Sequence, residues 1–202
     1  SEENKMPLGA NKAAIMGVAG VSTADVVLLS DQDADSDASI VFTSGITSTY
    51  GEYIFKFYNC NPETDATILY FYGSTDGGSS YGVTKTTTFG PYASIDEANG
   101  ANTNFGYHTG KDVAQATDAH FLSYQTGNAA DEHVSGEVHL FNPASTTYVK
   151  HFYARSAEHL SISYAGDNFS AGYFNTTSAI NAIKFGFSSG DFEGTIKMWG
   201  VK

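Results

Sequence analysis

Along much of this chain the apolar positions alternate with polar ones instead of recurring every third or fourth residue. In "EYIFKFY", Glu52 to Tyr58, the residues Tyr53, Phe55 and Phe57 fall on one face and Ile54, Lys56 and Tyr58 on the other, because successive strand side chains point to opposite sides. One face is wholly aromatic and the other mixed, which fits a strand with one side on a core and the other partly covered. Similar runs rich in β-branched and aromatic residues follow: "ATILYFYG", "VTKTTTF", "AHFLSYQ", "SGEVHLFN", "TYVKHFYAR", "HLSISYA", "FSAGYFNT", "AINAIKFGFS" and "GTIKMWGV". Turn residues separate them at short spacing, as in the Asp76-Gly77-Gly78 loop, the signature of a sandwich or barrel rather than a parallel α/β sheet. No segment carries an i, i+3, i+4 stripe long enough for a globular helix. The weakly periodic stretch from Gly90 to Asp118 is expected to hold only a short helical turn near Asp112 to Gln115.

The texture changes near residue 24. Residues 1–23 are small and Gly/Ala-rich, without aromatics, and are read as an N-terminal arm of the mature chain; residues 24–202 are read as the β-sandwich domain. "SEEN" is acidic where a signal peptide is basic. The arm is too poor in large side chains to form a core of its own, yet Met6, Leu8, Ile15, Met16, Val18 and Val21 are available to bury against a partner. They are the candidate assembly residues, together with Trp199, the single tryptophan, on the closing strand.

Between the arm and the aromatic strands lies "SDQDADSDASIVF", with aspartate at every second position from Asp31 to Asp37. An EF-hand-type loop starting at Asp31 needs Gly near its sixth position and Glu at its twelfth. Those positions hold Ser36 and Phe42. The stretch is therefore read as a charged loop leading into the β domain, with weak calcium binding left open.

Charge narrows the classes further. The formal net charge of the 202 residues is -12, with 10 Lys and Arg against 22 Asp and Glu. Nucleic acid and anionic membranes, which need clustered positive charge, are disfavoured as partners. Cys60 is the one cysteine, so no intrachain disulfide is available, and its setting in "FYNCNPE" suits a buried thiol better than a nucleophile. The sequons at Asn168 and Asn175 matter only in a secretory pathway.

Candidate chemistry is thin. Of the histidines at 108, 120, 133, 139, 151 and 159, only His139 shares a strand face with a close acidic neighbour, Glu137, with His133 two steps beyond if the strand runs straight. A zinc site needs three or four converging ligands, so no metal site is assigned. The carboxylate pairs Asp191/Glu193, Asp131/Glu132 and Asp96/Glu97 all sit beside Gly, Asn or Ala in loop-like sequence. A glycosidase instead needs a desolvated acid at a set separation from its partner. No nucleophile triad, phosphate loop or dinucleotide fingerprint is present. No catalytic residue and no cofactor is expected. The 13 tyrosines exceed what a core needs, which suits an interface or a sugar-stacking groove.

From about Ala38 onward the chain resembles a family of virion structural proteins of tailed phages, especially those of aquatic bacteria. The matching strings are "ASIVFTSGI", "YGEYIFKFYNCNPETD", "KTTTF", "SGEVHLFNPASTTYVKHF", "AGYFNTTSAINAIKF" and "GTIKMWGVK". The resemblance implies a jelly-roll-like antiparallel β-sandwich without enzymatic activity, placed on the virion surface. Its implied partners are other copies of the chain (a trimer or other homo-oligomer) and the major capsid protein or another virion protein. Three roles stay open: a capsid decoration (cement) protein, a tail-fibre module that binds host surface glycans, and a secreted carbohydrate-binding domain.

The arm supplies a first test. Burial of its apolar side chains against a partner is worth up to several kcal/mol at about 25 cal/mol per Å², before ordering costs. Deleting residues 1–21 is expected to leave the domain's thermal transition nearly unchanged while weakening oligomerisation or particle binding. Equal assembly of the truncated and full chains would make the arm a passive tail.

Overall fold

The computed structural model describes residues 25–96 and 104–202. Within them the alternating segments become twelve strands: β1 (Val26–Asp37), β2 (Ile40–Phe42), β3 (Glu52–Pro62), β4 (Leu69–Ser74), β5 (Lys85–Asp96), β6 (Asn104–Phe105), β7 (His120–Phe121), β8 (Val134–Phe141), β9 (Lys150–Leu160), β10 (Tyr164–Phe174), β11 (Ala182–Phe187) and β12 (Phe192–Val201). They pair antiparallel in two sheets. The larger runs β1-β12-β3-β8-β9-β10-β5-β6 and the smaller β2-β11-β4-β7.

Four strands of the large sheet, β1-β12-β3-β8, stand against β2-β11-β4-β7, and the chain changes sheet at each step from β1 to β4, from β7 to β8 and from β11 to β12. That strand order is a jelly roll. Two insertions, β5-β6 between β4 and β7 and β9-β10 between β8 and β11, extend only the large sheet. The large sheet therefore has the broader outer surface.

The sheets meet through phenylalanine. Phe42 of β2 lies edge-on to Phe55 of β3 at 5.4 Å, and Phe55 lies 5.5 Å from Phe185 of β11. Phe71 of β4 then contacts Phe152 of β9 at 5.0 Å, Phe174 of β10 at 6.0 Å and Phe185 at 6.0 Å. All six rings are buried. Offset and edge-to-face pairs add roughly 0.5–1.5 kcal/mol each beyond their area burial. Close approach of strands requires glycine at Gly136, where a Cβ would stand 2.3 Å from the Arg155 carbonyl oxygen. At Gly194 (φ +142) β12 is irregular against β3, and a Cβ there would meet the Cys60 backbone at 2.8 Å.

Three local expectations are corrected. The aspartate stretch is not a loop but the second half of β1, the edge strand of the large sheet. Asp31 and Asp33 face out beside Lys197 and Thr195, while Ala34 is buried and Gln32 donates to the Val41 carbonyl at 2.9 Å. The expected helical turn near Asp112 to Gln115 is replaced by a single 3-10 turn at Thr109–Lys111. Residues 113–116 are instead held along β5, where Thr87 donates to Val113 at 2.8 Å and Lys85 to Ala116 at 2.9 Å. "HLSISYA" is not one strand, because residues 161–163 form the β9–β10 turn, closed by Ser163 N–H to the Leu160 carbonyl at 2.9 Å.

Truncating Phe71 removes a ring that contacts four others across both sheets. Phe71→Ala is expected to cost about 3–5 kcal/mol in denaturant unfolding. A loss below about 1 kcal/mol would mean the inter-sheet layer does not carry the fold.

Candidate interaction face on the eight-stranded sheet

Register across the large sheet sets outward side chains of different strands in rows. One row reads Asp31, Lys197, Lys56, Glu137, Arg155 and Phe169; the next reads Leu28, Trp199, Ile54, His139, Tyr153 and Ala171. The first row and its neighbours neutralise themselves. Lys197 Nζ lies 2.7 Å from Asp31, Lys56 Nζ lies 3.4 Å from Glu137, and Arg155 grips Asp167 with two hydrogen bonds of 3.0 and 2.8 Å. The Arg155 guanidinium also covers the Phe169 ring at 5.0 Å.

The second row is apolar and aromatic. His139 stacks on Tyr153 with centroids 4.5 Å apart and planes 11° from parallel. Its Nδ1 meets Glu52 Oε1 at 2.5 Å, and its Nε2 lies 3.2 Å from Glu137 Oε1. Burial opposes ionisation of Glu137, but His139 and Lys56 outweigh it and hold the carboxyl below its ordinary value. Trp199, expected from the sequence to meet a partner, is half-buried on this outer face, and its indole N–H has no hydrogen-bond partner among the described residues. Five large apolar residues of the face are more than a third exposed: Val26 48%, Leu28 44%, Tyr58 40%, Tyr153 44% and Phe169 44%. Three open hollows lie on it, one lined by Asp31, Asp33, Tyr58, Thr195, Lys197 and Trp199.

The remaining candidate residues fall in separate parts of the fold, apart from one acidic hollow. Among the described residues no group of three His, Cys, Asp or Glu is placed to hold a metal. The histidines scatter: His108 packs on Tyr124, His151 on Tyr173, and His159 reaches Glu132 at 3.3 Å. Asp131, Glu132 and Glu193 are brought together, with Glu63 and His133, in a hollow at one end of the large sheet. Within it Glu132 accepts the Ala129 N–H at 2.9 Å. Of the pair Asp96/Glu97, Asp96 ends β5 and Glu97 lies outside the described residues. The arm residues Met6, Leu8, Ile15, Met16, Val18 and Val21 also lie outside them.

Three strongly perturbed groups lie in the interior. Burial pushes the Cys60 thiol up to about 12. His120, buried between the sheets with its Nε2 at 2.9 Å from the Ser170 hydroxyl, is pushed down to about 3 by burial and by Lys85. Lys85, brought down to about 8 by burial, donates to the carbonyls of Thr117 and Asp118.

Sequence reasoning passed over Glu158. Burial raises its pKa, while it accepts from Tyr124 N–H at 2.8 Å, Asn168 Nδ2 at 2.8 Å and Thr126 Oγ1 at 2.9 Å. The signal was present: in "KHFYARSAEHL" Lys150 and Glu158 fall in phase with Phe152, Ala154 and Ser156, so parity points both inward. The sequon asparagine Asn168 is itself buried, so the folded chain does not offer it for modification.

His120 sets an acid limit on stability. Between about pH 6.5 and 3 the unfolded chain binds a proton that the folded chain refuses. Stability therefore falls with decreasing pH, by up to about 1.4 kcal/mol per unit. Denaturation curves across this range should show a steeper acid loss for the native sequence than for His120→Phe. Parallel profiles would contradict a neutral buried imidazole.

Comparison with protein families, curated proteins and solved structures finds no match to the chain.

Proposed function

We propose that the chain is a non-enzymatic structural protein of a virion, acting as a capsid decoration (cement) protein on the particle surface and assembling with its own copies. The observation that carries this reading is the character of the broad outer sheet face. It combines exposed Leu28, Tyr153 and Phe169 with charges already paired among themselves. Such a surface suits burial against protein, whose interfaces concentrate aromatic residues and Arg in a setting of satisfied polar groups. The jelly-roll strand order and the resemblance carried by "YGEYIFKFYNCNPETD" and "GTIKMWGVK" support it. The major capsid protein or another virion protein is the proposed second partner. Repetition on a symmetric particle supplies avidity, so each contact need only be modest.

One observation favours a second reading, a tail-fibre or receptor-binding module for host glycans. The hollow between Tyr58 and Trp199 offers aromatic rings beside Asp31, Asp33, Thr195 and Lys197, a mixture able to stack on a sugar and bind its hydroxyls. A secreted carbohydrate-binding domain would use the same hollow without a particle.

Quantitative mass spectrometry of purified particles separates these roles. Decoration predicts on the order of hundreds of copies per particle, and a fibre on the order of tens. Absence from particles, with binding to a glycan panel, would overturn the virion reading.

A further inference from the structure

We infer that the outer face of the eight-stranded sheet, centred on Ile54 and His139, is the surface on which a second copy of this chain docks. This deepens the structural-protein reading by assigning self-assembly to a defined face.

Charge selects the occupant. At a net charge of -12, copies of the chain repel one another unless they meet where both signs are present. The hollow holding Glu63, Asp131, Glu132 and Glu193 gathers four carboxylates, and Asp35 and Asp37 end the β1 edge strand, a device that discourages edge-to-edge pairing. The outer sheet face differs. Lys56, Lys197 and Arg155 stand there among Asp31, Asp33, Glu52, Glu137 and Asp167, so both signs are present and it carries three of the chain's 10 basic residues. An isologous contact brings one patch against the same patch of its partner and so needs both signs within it. A two-fold related copy can set the Lys56–Lys197 band of one face against the Glu137 and Asp167 side of the other.

Apolar exposure points to the same face. Five exposed large hydrophobic residues lie on it, whereas Val41 is the one such residue on the strands of the smaller sheet, among the described residues. Size is also sufficient. Six strands about 4.8 Å apart, each offering about seven residues at roughly 3.3 Å, present roughly 650 Å². Each partner in a stable interface contributes about 600–1,000 Å².

The test is the self-association of the full chain, followed by sedimentation velocity over a concentration series. The native sequence is expected to form a dimer or higher oligomer, and Val41→Glu on the opposite sheet is expected to leave its dissociation constant within about twofold. Leu28→Glu combined with Phe169→Glu is expected to weaken association by roughly a hundredfold, with the thermal transition recording that the variant is folded. A measurement on the unmutated chain guards against misfolding of that variant. Mixed light- and heavy-isotope protein, treated with a lysine-reactive cross-linker, should yield intermolecular links joining Lys56 or Lys197 of two copies. A monomer at all concentrations, undiminished association of the folded double variant, or intermolecular links that avoid Lys56 and Lys197 would each overturn the inference. Such a failure is distinguishable from failure of the virion reading, which is decided by copy number on purified particles and not by the isolated chain.

Discussion

The phenylalanine layer between the two sheets is the constraint from which the rest follows. Phe42, Phe71 and Phe185 come from the small sheet, and Phe55, Phe152 and Phe174 from the large one. Once Phe55 and Phe152 are committed inward, strand parity sends Ile54, Lys56, Tyr153 and Arg155 outward. The outer face is therefore the geometric complement of the core. Its aromatic content is surplus that the core had no room to bury.

A second interior region is polar, and it is held together differently. Glu158 accepts three hydrogen bonds, two of them from side chains of Asn168 and Thr126, and His120 meets Ser170 nearby on β10. Lys85 and Lys150 end their strands inside, each with its ammonium donating to two backbone carbonyls. Such groups are tolerated only because partners replace the water they lose. They tie the loops at 117–118, 124–126, 148 and 176 to the sheets. The Asn168 Oδ1 and His120 Nδ1 atoms are buried without a hydrogen-bond partner among the described residues.

Strand parity made much of this legible in the chain itself. "EYIFKFY" and "GTIKMWGV" name their inward residues correctly, since Tyr53, Phe55, Phe57, Ile196 and Met198 are all buried. Where charge masked alternation, as at Gln32 and Ala34 between aspartates, a strand read as a loop. At residues 161–163 a hydrophobic Ile162 within a turn made the adjoining ends of β9 and β10 read as a strand of their own; it is 56% exposed. The candidate interaction face was illegible for a different reason. Its rows join residues as distant in sequence as Leu28, Trp199, Ile54 and His139, and only register between strands sets them side by side.

The proposed docking surface rests on a widened sheet that turns exposed aromatics and self-paired charges toward its surroundings. The most direct measurement is hydroxyl-radical footprinting of the chain's aromatic side chains, below and above the concentration at which it assembles. Tyr58, Tyr153 and Phe169 should lose labelling on assembly, while Tyr148, 73% exposed in the loop before β9, should label equally in both states. Unchanged labelling of the sheet face, or protection confined to Tyr148, would contradict the account.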